Sequence, residues 1–282
     1  MRIAVLGGSG FLGTNLVTRL RAAGEHEVVT LSRSESADVQ VDVRVQEDLR
    51  AALASISPQC LVNLASGGLA SRSPLSWQED LELLDVQLPV KLLDWASEDS
   101  NRTLLTASSS LYQVPAESDY ARAKSRGRDL LAARARDLGV RVPKCKILNL
   151  HNVYGAGQPS DRFVAAVASA LGAGETFIVQ FPHRRRDFVL IDEVSASISR
   201  AINDESGGLH EIDLGTGHAL MLMEAARLIA ASVGRPVDDV KSSDNLQSDV
   251  VVAAELGGTF GECVTPFEEG IRASVDRTRG RS

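Results

Sequence analysis

Tyr120 and Lys124 stand four residues apart in the segment Asp119-Tyr-Ala-Arg-Ala-Lys124, downstream of Ser108-Ser109-Ser110, in a chain with only three tyrosines. Four residues apart on a helix, the two side chains are neighbours on one face. An ammonium beside a phenol stabilises the phenolate, whose unperturbed pKa is about 10. The tyrosine then becomes usable as an acid or base near neutral pH. A phenol, an ammonium and an upstream hydroxyl together suggest a proton-transfer site. The same pair on a solvated helix face would only stack a ring on a lysine stem, so the surrounding elements decide between the two readings.

The chain begins Met1-Arg-Ile-Ala-Val-Leu6, an apolar run of the kind found in buried parallel strands, and passes directly into Gly7-Gly8-Ser9-Gly10-Phe11-Leu12-Gly13. Leu12, Leu16 and Leu20 then recur at helical spacing, and Gly24 marks a helix end. Glycines at 7, 10 and 13 allow a tight turn, close backbone approach to a pyrophosphate and close packing of helix on strand, with the helix N-terminus facing the anion. A dinucleotide site is expected here. After the second strand, Glu27-Val-Val-Thr-Leu31, an NAD site would carry an acid for the ribose 2′-hydroxyl, whereas this chain reads Ser32-Arg33-Ser34. Arginine and hydroxyls suit a 2′-phosphate and favour NADP(H) over NAD(H). Glu35 reaching the ribose after a small shift, with Arg33 a solvated loop charge, is the alternative. A third short strand is expected at Val41-Asp42-Val43, where Asp42 could accept from the adenine amino group or cap the loop.

The whole chain has the composition of a globular enzyme. Its 282 residues can bury a sizeable core, with 44% hydrophobic and 24% charged residues. A net charge of −7 argues against a nucleic-acid surface, and Arg184-Arg185-Arg186 is too short a run to reverse that. No apolar stretch is long enough to span a membrane and no signal peptide precedes the first strand, so no membrane association and a cytoplasmic location are expected. Cys60, Cys145 and Cys263 are widely spaced in apolar segments and read as reduced core residues. The five histidines show no metal-ligand spacing, and no metal is expected.

Strands and helices alternate as in a doubly wound sheet. Helices are expected at 47–55, 77–98 with a kink at Pro89, and 119–138, with strands at 60–64, 102–107 and 141–150. The pattern loosens beyond residue 155. The fold class is therefore α/β, a Rossmann-type doubly wound parallel sheet with a smaller C-terminal lobe. Its dinucleotide-binding domain covers 1–155 with return segments at about 186–216, and the substrate-binding lobe covers 156–185 and 217–282.

These motifs, with Asn63-Leu-Ala65, Tyr112, Asn152-Val-Tyr-Gly155, Arg186-Asp-Phe188 with Asp192, and Gly215-Thr-Gly217, fall in the order of a known family. Over nearly its whole length the chain resembles an extended short-chain dehydrogenase/reductase, the branch with nucleotide-sugar epimerases, dehydratases and ketoreductases. The resemblance implies cofactor contacts from Gly7, Gly10, Phe11, Leu12, Gly13, Ser32, Arg33, Asp42, Val43 and Ala65. It implies that Ser108 holds the substrate oxygen, Tyr120 passes the proton and Lys124 holds the nicotinamide ribose. Ser66, Ser109, Ser110, Asn152 and Arg186 would contact substrate, the last two through a diphosphate that suits the arginine fork. Asn152 as a turn residue and Arg186 as partner of a carboxylate remain open.

Four departures bear on function. Ser109 and Ser110 stand where dehydratases carry an acidic pair, so elimination is not expected. Asp85 stands where the family has an asparagine, and only seven residues separate Tyr112 from Tyr120. The C-terminal lobe offers Lys241 rather than a second arginine. The expected activity is NADPH-dependent reduction of a keto group on a nucleotide-linked sugar, with an NDP-4-keto-6-deoxyhexose first among substrates. A nucleotide-sugar epimerase, a reductase of a small carbonyl and a cofactor-sensing protein without turnover are the alternatives. Specificity is expected around Ser66 to Ser76 and in the second lobe, and the resemblance allows a homodimer.

Overall fold

Ile3, Ala4, Val5 and Leu6 are all fully buried, which is what a strand covered by helices on both faces requires. The computed structural model describes residues 1–68, 74–113, 118–244, 252–254 and 263–279. Its strands are β1 (Arg2–Leu6), β2 (Glu27–Ser32), β3 (Val39–Gln40), β4 (Cys60–Asn63), β5 (Thr103–Ser109), β6 (Lys144–Leu150), β7 (Asn152–Tyr154), β8 (Phe177–Val179), β9 (Arg185–Leu190), β10 (Leu209–Leu214), β11 (Ala219–Met221) and β12 (Val240–Ser242). The largest sheet has the order β10-β6-β5-β4-β1-β2-β3, and β1 to β6 pair in parallel. Strand order reverses where β1 meets β4, and in doubly wound sheets the ligand crevice opens at that point.

The helices are α1 (Phe11–Ala23), α2 (Gln46–Ile56), α3 (Pro74–Asp80), α4 (Leu88–Ser97), α5 (Asp119–Leu138), α6 (Phe163–Gly172), α7 (Ile191–Asn203), α8 (Leu222–Ser232) and α9 (Phe267–Arg279). None among the described residues is long and apolar enough to cross a membrane. The chain divides into two compact units. One comprises residues 1–150 and 195–212, the other residues 151–194 and 213–282. The first packs leucines of α2, α4 and α5 against β1, β4 and β5. At about 1.5–3 kcal/mol for each large apolar side chain buried, this core dominates the stability of the unit. The second has its own core, in which Tyr154, Phe188 and Phe267 pack as an aromatic group beside α6 and α8.

Two elements differ from the sequence expectation. β3 lies at Val39–Gln40, not at 41–43, because Asp38 captures the chain first. Its Oδ2 accepts from Thr30 N at 2.8 Å and from Thr30 Oγ1 at 2.7 Å, which sets Val39 opposite Leu31. Asp42 and Val43 follow in a turn closed by Val45 N donating to Asp42 O at 2.9 Å. The expected long helix is divided by a seven-residue π-helical segment, Leu81–Gln87, where Leu88 N donates to Leu83 O five residues back. Pro89 explains it. A proline inside an α-helix lacks a donor and clashes with the carbonyl four residues earlier, here that of Asp85. The wider π turn removes the clash and leaves the Asp85 carbonyl facing α5.

Gly127 of α5 meets that carbonyl. A Cβ built on Gly127 would lie 1.9 Å from Asp85 O, so only glycine lets the two segments approach this closely. Gly127→Ala should therefore destabilise the protein even though alanine is worth about 1 kcal/mol as a helix former. Overpacking against backbone typically costs about 1–3 kcal/mol, so thermal denaturation is expected at a temperature several degrees lower; an unchanged or raised midpoint would contradict the packing described.

Candidate active site

Helix α5 begins where Ser118 Oγ accepts from Ala121 N at 3.1 Å, a side-chain cap that phases the helix so that Ala123, Lys124 and Gly127 turn inward. Lys124 is 4% exposed and its Nζ lies 2.7 Å from Asp85 Oδ1, in a carboxylate with no exposure at all. The ammonium also donates to Ala107 O of β5 at 3.3 Å and lies 5.8 Å from the centre of the Tyr120 ring. Three donors sit on an ammonium, and these contacts take two. Burial pulls the Lys124 ammonium toward neutrality, but the charges of Asp85 and the Tyr120 oxygen outweigh it and hold the group above the ordinary lysine range. The other carboxylate oxygen, Asp85 Oδ2, accepts from Gly67 N at 2.9 Å.

Ser108 is buried at the end of β5, and its Oγ is enclosed without a hydrogen-bond partner among the described residues. A small cavity beneath α5 is lined by Ser108, Lys124 and Asp85 together. The structure therefore brings Ser108, Lys124 and the Tyr120 ring into one place, and adds Asp85. Ser109 is turned back, its Oγ accepting from Leu111 N at 3.3 Å, and Ser110 is buried in the 3-10 turn Ser110–Gln113 that follows. The connection between Gln113 and Ser118 lies outside the described residues.

At the other end of the crevice, Gly7 has φ +75°, and a Cβ there would meet Ala65 N and Leu64 C at 3.0 Å. A Cβ on Gly13 would lie 2.2 Å from Gly7 O. Gly10 caps α1 without a side chain, and the first intrahelical bond is Thr14 N to Gly10 O, so the N–H groups of Phe11, Leu12 and Gly13 end the helix without a helical acceptor. This is the cradle a pyrophosphate needs. Asn63 holds the β4 loop beside it, donating to Thr106 Oγ1 at 3.0 Å and accepting from Ala65 N at 3.2 Å.

After β2, Ser32 Oγ accepts from Ser9 Oγ at 2.9 Å and from Ser34 N at 3.1 Å. Arg33 is exposed, and its guanidinium holds no ion pair among the described residues. Asp42 is clamped by Arg44, whose Nε donates to both carboxylate oxygens at 2.9 and 3.0 Å. That contact holds the Asp42 carboxyl below the usual range, and it occupies much of the group expected to meet adenine. Val43 lies in the same turn, half-buried. Ser66 is exposed and accepts from Gly68 N at 3.2 Å; beyond it, residues 69–73 of the expected specificity segment lie outside the described residues.

Asn152 and Arg186 belong to the second unit. Asn152 of β7 pairs with Phe188 of β9, two positions from Arg186, so the two share one face of that sheet. Asp187 beside them is committed to its own chain. Its oxygens accept from Thr216 N and Oγ1 at 2.9 and 2.6 Å, Gly217 N at 2.8 Å and Ala254 N at 3.0 Å. Asp85 and Gly127 are the residues that sequence reasoning did not place in the site. The signals for Asp85 were an acid inside the apolar run Leu81-Glu-Leu-Leu-Asp-Val-Gln-Leu88 and its place where the resembled family carries an asparagine.

Residues 3–215 match the family model described as NAD dependent epimerase/dehydratase family. The chain belongs to that family. It is an NAD(P)-dependent enzyme of the short-chain dehydrogenase/reductase type, and its relatives act on nucleotide sugars. A dTDP-6-deoxy-L-talose 4-dehydrogenase (NAD(P)(+)) of Kitasatospora kifunensis is 28% identical over 292 residues, spanning 92% of this chain and 90% of that protein. A dTDP-L-rhamnose 4-epimerase of Burkholderia thailandensis is 35% identical over 115 residues, 39% of this chain but only 31% of that protein's length. Among solved structures, the UDP-glucose 4-epimerase of Thermus thermophilus in complex with NAD superposes with a TM-score of 0.74 over the full length of both chains, at 23% identity. At that identity the likeness speaks for the fold.

The unpartnered Ser108 hydroxyl allows stability and activity to be separated in this family member. A buried hydroxyl without a partner costs about 1–3 kcal/mol, so Ser108→Ala should leave the denaturation midpoint unchanged or higher. Turnover should fall by roughly 10²-fold or more if that hydroxyl meets the reacting oxygen. A variant that loses stability while keeping turnover would remove Ser108 from the site.

Proposed function

We propose that the protein reduces a keto group on a nucleotide-linked sugar with NADPH, an NDP-4-keto-6-deoxyhexose being the substrate we favour. The observation that carries the cofactor choice is the end of β2, where Arg33, exposed and without a close ion pair among the described residues, lies between Ser32 and Ser34 and the first acid, Glu35, comes three residues after the strand. A phosphate on the ribose suits an arginine with no other ion pair. The cradle at Gly7 to Gly13 fits the pyrophosphate, and the remaining Lys124 donor fits a ribose hydroxyl. When bound, the cofactor supplies the hydride that goes to the carbonyl carbon.

The chain's own residues then handle the oxygen. Ser108 Oγ donates to it and holds it in place, and Tyr120 passes its phenolic proton to it as the alcohol forms. The charged Lys124 stabilises the phenolate left behind until solvent returns the proton. In this reading the second unit is the substrate lobe, with Asn152 and the Arg186 guanidinium meeting the diphosphate. The Kitasatospora relative, a 4-dehydrogenase of a dTDP-6-deoxy sugar that takes either cofactor, supports the reaction class. The Burkholderia relative supports a second reading, epimerisation on a retained NAD. Oxidised NAD co-purifying with the protein would favour that reading.

Two variants test the proposal with NADPH oxidation as the assay. Tyr120→Phe should lower turnover by about 10²-fold to 10⁴-fold while NADPH still binds; full activity would remove Tyr120 from the chemistry. Arg33→Ala should weaken NADPH by about tenfold or more, the worth of a charged hydrogen bond, and leave NADH unchanged. Equal loss with both cofactors would undo the cofactor assignment.

A further inference from the structure

The proton-transfer lysine of this chain does not stand alone in its site. Asp85 Oδ1 lies 2.7 Å from Lys124 Nζ, and neither side chain reaches solvent to more than 4%. Three features hold the carboxylate there. The π segment forced by Pro89 sets its phase, Gly127 admits the Asp85 backbone against α5, and Gly67 N donates to Oδ2 at 2.9 Å. Wide π turns of this kind are frequent at functional sites. The Gly67 contact continues outward, since Gly68 O accepts from Trp77 Nε1 at 3.1 Å and Gly68 N donates to Ser66 Oγ.

We propose that Asp85 is a positioning residue of the proton-transfer site, which keeps the Lys124 ammonium charged and fixed beside Tyr120 and ties it to the loop carrying Ser66. The inference rests on the Tyr120 and Lys124 reading above. Asparagine of the same shape could accept from Gly67 and pack against Gly127, but it would bring no charge. Among the described residues, a buried ammonium without that charge keeps the bond to Ala107 O and the electrostatic pull of Tyr120 alone. The charges and polar groups facing Lys124 are therefore Asp85 on the π segment, Tyr120 on its own helix, Ala107 O and Ser108 on β5, and the N–H of Gly67, which is held by Asp85. Further charges on the same elements are neutralised in pairs, Glu82 with Arg126 at 2.7 Å and Arg128 with Glu211 at 2.7 Å.

The direction of the effect follows from electrostatics. Removing a buried negative charge makes every nearby proton easier to lose. The protonated couple of Tyr120 and Lys124, the form that reduces a carbonyl, is then lost at lower pH, whichever member releases the proton first. In Asp85→Asn the alkaline limb of the reduction profile should move down by about one pH unit or more, and the near-ultraviolet tyrosinate band that Tyr120→Phe removes should leave its wild-type pH, downward while Lys124 keeps its proton and upward where Lys124 loses it first. Of the other two tyrosines, Tyr154 is pushed well above the ordinary range by burial, and the difference against Tyr120→Phe subtracts Tyr112. Asp85→Glu, which keeps the charge, should restore the wild-type limb. The tyrosinate titration needs no substrate, so it remains readable even if the sugar proposed above is never turned over. Asp85→Ser serves as the second neutral variant should the asparagine not fold. A folded neutral variant with the wild-type limb and the wild-type tyrosinate band would overturn the proposal. So would failure of both neutral variants to fold, which would assign Asp85 to holding the fold alone.

Discussion

A charged ammonium buried in the interior of an α/β sheet domain is the constraint around which this structure is organised. Taking an ion out of water costs several kcal/mol unless a partner of opposite charge and further hydrogen bonds meet it. Lys124 is met by Asp85 and by the Ala107 carbonyl, and each of those needs a particular local structure. Ala107 O is available because β5 runs on past it to Ser109. Asp85 is available because the chain leaves α-helical phase before Pro89. Gly127 is glycine because the Asp85 backbone has to come within contact of α5. A pair that stabilised nothing else would be replaceable by apolar side chains of equal volume. Here the pair instead holds a charge next to a phenol.

The sites at the two ends of the sheet were legible in the sequence to different degrees, for physical reasons. The glycine turn at 7 to 13 could be read because Gly7 and Gly13 answer local demands, a positive φ at one and a backbone oxygen 2.2 Å from a would-be Cβ at the other, and such demands leave few alternatives. Ser108, Tyr120 and Lys124 could be read because strand ends and helical i, i+4 spacing are themselves local rules. The Asp85 contact could not. It depends on the register of a π segment, in which the helical spacing used to assign faces fails, and on a glycine that helix propensity alone would count as a defect. β3 shows the same limit. The apolar alternation at Val41 and Val43 indicated a strand, but the three contacts among Asp38 and Thr30 paired the two residues before it.

Carboxylates show how differently one side-chain type is used. Asp38 and Asp187 are spent on backbone and hydroxyl donors of neighbouring loops, and they fix those loops without meeting a cation of the site. Asp42 is taken by Arg44 two residues on, a contact made at the rim where water competes for both partners. Asp85, as enclosed as Asp187, differs in facing a lysine. Of the four, it is the one whose charge reaches a group proposed to change protonation.

The consequence is a division of labour between the two ends of the crevice. At the β2 end, Arg33 is exposed and acts on the Asp42 carboxylate only from a distance, without a close ion pair among the described residues, so replacing it disturbs little that holds the fold together. Substitutions in exposed loops of this kind usually change stability by less than about 0.5 kcal/mol, and preference for one cofactor over the other can therefore drift freely. At the β5 and α5 end, Lys124, Asp85 and Gly127 are interlocked through backbone as well as side chains, and a change in one leaves a buried charge or a clash behind. The proposed proton-transfer site is thus held rigid by packing, while the proposed choice of cofactor would rest on a single surface side chain. Relatives of the family that differ in cofactor use but keep one proton-transfer mechanism are what such an arrangement would produce.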